Sequence, residues 1–304
     1  LDKIHYQLPV IFHVLYQNEN DINQYIKEDH LKDVLVRANH FYQSEKCGID
    51  INLEFVLATK DKNGTTLPEP GVERVPFNEL PIDCEKFMRD NTGKYTSLLW
   101  EPNEYINIMV YPFTDSQILG ISTFPYSLKN FFLEGTQQVS ASWITLENLS
   151  FPYCISINSS YIYEQSTDER INQNDAAITL AHYLGLRHVF SEGGTTSMCT
   201  DTDYCKDTPS YNRSEYEQWL NNLDKQNKYQ LKDLAKRYSC EKGEYEAHNI
   251  MDYAYCFYNE ITLEQRKRIR HILNYSPLIP GPKESRIDTR GVQGRLNLPI
   301  CIMK

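Results

Sequence analysis

The 304-residue chain has no long apolar run. Its longest mainly apolar stretch, residues 8–16 (LPVIFHVLY), is less than half of the ~20 residues a membrane-spanning helix needs, so no transmembrane helix is expected. Basic residues are few and scattered: 31 lysines and arginines stand against 41 acidic residues, a formal charge of −10. That excludes the basic stripe of a nucleic-acid-binding surface. No C-x-x-C pair occurs among the eight cysteines, which argues against a zinc ribbon and against a thioredoxin-like redox site. Internal repeats and low-complexity segments are absent, and a composition 40% hydrophobic and 24% charged is that of a globular protein. Residues 1–7 lack the basic start and apolar core of a signal peptide; for an exported protein the expectation is that the leader has already been removed.

What is present begins with clustering. Cys199, Cys205, Cys240 and Cys256 fall in one loop-rich region. Two disulfides there, and hence an oxidising compartment, are the favoured reading, with a set of buried thiols as the alternative. The pairing of Cys47, Cys84, Cys154 and Cys301 is open. Residues 8–16 read as a buried strand, and Leu31, Val34, Leu35, Ala38 and Phe41 share one face of a helix that has Asp29 near its start. Alternation over residues 49–55 predicts a half-buried second strand; residues 105–111 and 154–158 predict two more. A helix is expected from Asp175 toward His188, stopped by Gly185, because glycine reaches the left-handed conformation of a helix C-cap. The charged segment 214–238 reads as one or two solvent-facing helices. Thr262-Leu-Glu-Gln265 has capping-box spacing and opens a last helix. Strand, helix, strand, strand opens a mixed α/β sheet.

The most specific string is His182-Tyr-Leu-Gly185-Leu-Arg-His188. His182 ends a helix, Gly185 permits a sharp bend, and His188 can then return toward the same point, which suits a metal because neutral imidazoles ligate zinc well. Alone, the string also describes two polar histidines near a helix end. Some sixty residues downstream lies Asn249-Ile-Met251-Asp-Tyr253.

Together these motifs resemble the pappalysin family of metzincin zinc endopeptidases, which carry H-E-x-x-H-x-x-G-x-x-H and a tight Met-containing turn. The resemblance extends to residues 8–16 as the opening strand, to residues 119–125 (LGISTFP) as the upper edge strand, and to Asp207-Thr208-Pro209 after the helix. It also exposes a gap. Counting back four from His182 gives Ile178, followed by Thr179, as if four residues had been cut from the motif. Where the cut falls is not unique, but one histidine and the glutamate are missing either way. Four residues are close to one helical turn of 3.6, so the helix shortens while its faces rotate little. Asp175, about 10 Å before His182, is too far to replace either group.

The resemblance implies an α/β (α+β) metzincin-like fold over residues 1–304 as one catalytic-type domain. An upper part, to about residue 190, would hold the twisted sheet, and a lower, loop-rich part would carry the helical insertion near 214–238. It implies zinc at His182 and His188, with His248 as a further candidate ligand, Met251 as the floor beneath the metal, and Tyr253 as an oxyanion donor. It also implies disulfides Cys199–Cys240 and Cys205–Cys256. A substrate would add as a strand along Gly120, Ile121, Ser122 and Thr123. The oxygen-rich loop of Asp201, Asp203, Asp207 and Thr208 suits calcium or simple solvation. The expected protein is an exported monomer, secreted, periplasmic or at the cell surface, that acts on proteins or peptides and binds no nucleic acid. A chain lacking the first histidine and the general base is expected to be inactive or strongly impaired; the alternative is a non-catalytic secreted peptide-binding relative.

Overall fold

The structure is a computed structural model and describes residues 3–141, 143–162, 175–192, 200–284, 294–296 and 300–304. Its centre is strand β1 (Tyr6–Tyr16), whose apolar residues Leu8, Val10, Phe12 and Val14 are fully buried. One edge of β1 pairs in parallel with β2 (Leu53–Leu57) over its first half and with β3 (Val72–Pro76) over its second. The other edge pairs in parallel with β4 (Ile106–Tyr111), which in turn pairs with β8 (Ile155–Asn158). Direction then reverses: β5 (Gly120–Thr123) is antiparallel to β8, and β11 (Ile302–Met303) is antiparallel to β5. The result is a seven-stranded mixed sheet with the order β11-β5-β8-β4-β1-β2, β3 sharing the β1 edge. A short parallel pair, β6 (Tyr126–Leu128) and β7 (Gln137–Val139), stands apart from it.

Helix α1 (Glu28–Tyr42) lays its predicted apolar face on this sheet. Asn39 fastens it: its side-chain amide donates to the Phe55 carbonyl and accepts from the Phe55 N–H, both at 2.8 Å, so it serves as a strand partner for β2. The second strand begins later than the alternation predicts, because Asn52 is left-handed (φ 59°) and its N–H is held by the Asp50 carboxylate at 2.7 Å, forming a turn. A short helix α2 (Cys84–Arg89), capped by Asp83, lies beyond β3.

Helix α3 (Asp175–Tyr183) crosses β5 so closely that a Cβ on Gly120 would stand 2.5 Å from the Thr179 methyl. The segment expected to be helical from 214 to 238 divides. It forms α4 (Arg213–Asn221), α5 (Leu231–Leu234) and then strand β9 (Lys236–Ser239), antiparallel to β10 (Gly243–Glu246). Residues 236–239 alternate exposed and buried, and the buried Arg237 is drawn inward by Asp252, so a period of two prevails over helical charge patterning. Helix α6 (Leu263–Tyr275) starts at the predicted capping box, with Thr262 and Gln265 each satisfying the other's backbone. Its Arg270 donates to the carbonyls of Ile4, Ile51 and Asn52, tying the C-terminal helix to the start of the sheet.

Candidate functional site

Helix α3 ends in a Schellman motif. Gly185 has φ 95°, its N–H donates to the His182 carbonyl at 3.0 Å, and the Leu186 N–H donates to the Ala181 carbonyl at 2.9 Å. The bend returns the chain beneath the helix end, and the Leu186 carbonyl accepts from Nδ1 of His182 at 2.8 Å. His188 then meets His182 edge to face: the ring centroids are 4.6 Å apart and the two Nε2 atoms 3.1 Å. Nδ1 of His188 donates to the Glu192 carboxylate. Both rings are thus anchored through Nδ1, and in the neutral rings the Nε2 lone pairs converge on one space. Burial, then His188 and Arg187, hold the His182 imidazole well below its usual range, so it is neutral at neutral pH.

Aromatic rings close around His188. Phe190 stacks on it at 4.7 Å, and Tyr253 meets it edge-on at 4.7 Å. Burial, then Glu192, push the Tyr253 phenol up to about 12, so it is a hydrogen-bond donor at neutral pH. Met251 is fully buried, and its carbonyl accepts from the Val189 N–H at 3.2 Å, which puts the Met-turn directly under the His188 segment. Asn249 pins that turn to α6 through a reciprocal amide pair with Gln265 at 2.8 and 2.9 Å. Asp252 is spent on Arg237 and Tyr211 and faces no imidazole.

The structure does not bring every predicted residue here. His248 binds Asn259 and Glu246 and stacks on Phe257, away from both imidazoles; the turn that buries Met251 directs residue 248 outward. Asp201 and Asp203 accept from backbone amides of their own loop, Thr208 donates to Asp203, and Asp207 accepts from the Glu264 N–H at the start of α6. Burial pushes the Asp203 carboxyl up to about 7. Among the described residues, no three or more His, Cys, Asp or Glu side chains gather around one point. The Cys205–Cys256 disulfide is not formed: both are buried free thiols. Cys205 is folded into the Asp203–Thr208 turn, and Sγ of Cys256 lies against the Asn249 carbonyl inside the Met-turn. Cys240 is disulfide-bonded; Cys199, the partner expected for it, lies outside the described residues. Nor is the expected edge strand, Gly120 to Thr123, a free edge, because Ile302 and Met303 pair with Thr123 and Ser122.

As a zinc site the donor set is partial. Zinc–nitrogen bonds of about 2.0–2.1 Å at a tetrahedral angle place two ligand nitrogens about 3.3 Å apart, close to the separation seen. One helical turn before His182, however, stand Ile178 and the buried Thr179, whose hydroxyl bonds the Ala176 carbonyl. If His182 is instead taken as the first ligand, the glutamate position falls on Tyr183, buried and bonded to the Leu278 carbonyl at 3.3 Å. The residues fit a two-histidine metal site and do not fit a three-ligand site with a general base. Glu192, Phe190 and Lys304 were missed by sequence reasoning. Glu192 and Phe190 follow the motif with no spacing rule, and Lys304 arrives from a distant part of the chain.

Comparison with known proteins shows what the chain is similar to. Residues 135–274 match the metallopeptidase family Peptidase_M43, described as pregnancy-associated plasma protein-A. Over that stretch, a little under half of its length, the chain is similar to the pappalysin-type metalloproteases. It is 29% identical over 184 residues, 60% of this chain, to an extracellular metalloprotease of Arthroderma otae, and 28% identical over 184 residues to one of Trichophyton verrucosum. The match spans 55% of each relative's length. Mature mirolysin of Tannerella forsythia in complex with a cleaved peptide has a similar fold, with a TM-score of 0.57 and 21% identity over 88% of this chain and 91% of that one. A promirolysin mutant gives 0.58 and 20% over 89% and 81%. The fold is that of the metzincins.

Proposed function

We propose that the chain is a metzincin-type zinc endopeptidase domain, residues 1–304 forming one exported, monomeric unit, whose present form hydrolyses peptide bonds very slowly or not at all. The observation that carries this reading is the facing pair of Nε2 atoms 3.1 Å apart with Ile178 and Thr179 one turn behind them. In the wider family, zinc supplies Lewis-acid polarisation of the scissile carbonyl and a nucleophilic water. Here the protein's own part is narrower. Leu186 and Glu192 hold the Nδ1 protons so that both Nε2 atoms face the cleft, and the Tyr253 hydroxyl can donate to a carbonyl oxygen laid beside His188. Among the described residues the carboxylate at the histidines is Glu192, which is held behind His188 at Nδ1, and none lies on the Nε2 side to take the proton of an attacking water. Calcium at the acidic loop would have to share the carboxylate oxygens that already accept from backbone N–H groups and from Thr208. The second reading, a non-catalytic peptide-binding relative, rests on the ability of the β5 edge to take an extended segment, here the chain's own residues 302 and 303. Zinc titration calorimetry tests the metal reading. Binding weaker than at a three-histidine site, and lost in His188→Ala, is expected; unchanged affinity in that variant would make the histidines structural.

A further inference from the structure

Residues 301–304 occupy the outer edge of β5 with four separate anchors. The Cys301 carbonyl accepts from the Phe124 N–H at 2.8 Å, and Ile302 and Met303 continue the pairing opposite Thr123 and Ser122. The Ile302 side chain packs against the apolar cluster that includes Ile121, Phe87 and Met88. The Lys304 ammonium pairs with Glu85 at the start of α2. Its main chain lies against the His182 imidazole, and its carbonyl is 3.4 Å from the Tyr253 hydroxyl. Beyond Lys304 a cavity of about 560 Å³ continues between Ile178, Thr179, Arg213 and Tyr253. A strand added to a sheet edge gains affinity from main-chain hydrogen bonds that any extended peptide can make. The segment therefore fills the surface an incoming peptide would use.

We infer that residues 301–304 are a built-in occupant of the peptide cleft, a strand docked in cis that an extended peptide must displace to bind along β5. The inference rests on the reading of the β5 edge as a peptide cleft. If the docked state is populated nine-tenths of the time or more, releasing it raises apparent peptide affinity at least about ten-fold. Met303→Pro removes an N–H from the docked strand, and Lys304→Glu sets two like charges together at Glu85 without touching the backbone. The probe is a fluorescein-labelled peptide of the chain's own residues 300–304, followed by polarisation. Amide hydrogen exchange at Phe124 is measured in parallel on the full chain and both variants. The expected result is weak binding by the unmodified chain, at least ten-fold tighter binding by Met303→Pro, a smaller gain in Lys304→Glu, and faster exchange at Phe124 in each variant. Equal, measurable binding by all three with unchanged exchange at Phe124 would overturn the inference and leave the cleft reading standing. Faster exchange at Phe124 with no gain in affinity would overturn both.

Discussion

Each imidazole at the centre of the cleft is oriented by its far nitrogen, His182 by the Leu186 carbonyl and His188 by Glu192. A carboxylate behind a ligating histidine fixes its tautomer and raises its basicity, and losing such a partner typically costs 10–100-fold in metal affinity. Glu192→Gln keeps the shape and removes the charge. It is expected to weaken zinc binding by about ten-fold or more, read by competition with a chromogenic chelator. An unchanged constant would mean that Glu192 does not support a metal ligand. At this scale the sequence was legible where the chemistry is local: His182, Gly185 and His188 are set by one helix end, and Met251 and Tyr253 by one turn. His248 lies three residues from Met251, yet it faces outward toward Glu246, because a tight turn sends near neighbours in opposite directions.

Among the elements, the end of α3 carries the site, since it turns the chain from one histidine to the other. A side chain at residue 185 would be strained at φ 95°, and its Cβ would stand 2.8 Å from Cγ1 of Ile272 on α6. Gly185→Ala is therefore expected to destabilise the fold by about 1–3 kcal/mol, measured by urea denaturation. The repacking of Ile272 should add to that loss. A change within 0.5 kcal/mol would indicate that the C-cap relaxes without cost. The boundaries of α1 and the start of α6 were legible because apolar spacing and a capping box are local signals. Strand β9 was not, since its pattern is set by Asp252 pulling Arg237 inward. Strand β11 was not either: two residues pairing with a strand some 180 positions earlier leave no periodicity to read.

For the whole molecule, the parallel strands β2, β3, β1, β4 and β8 form a rigid platform, and the antiparallel β5 borders the cleft. An α3 one turn shorter than the resemblance implies is compatible with this platform, because the helix crosses β5 at Gly120 and reaches α1 through the Tyr42 hydroxyl on the Ala177 carbonyl at 2.6 Å. The fold can therefore persist without the full catalytic set. No helix among the described residues is long and apolar enough to cross a membrane, and the relatives are named extracellular. The most direct test of this account compares cleavage of a denatured protein by the unmodified chain and by a form with four residues inserted between Ala181 and Tyr183 to complete H-E-x-x-H. Each is assayed with and without a chelator, in the presence of zinc. The account predicts no chelator-sensitive cleavage above background by the unmodified chain and a gain of about 10²–10⁴-fold on insertion, the range a general base contributes. Robust, chelator-sensitive cleavage by the unmodified chain would contradict it.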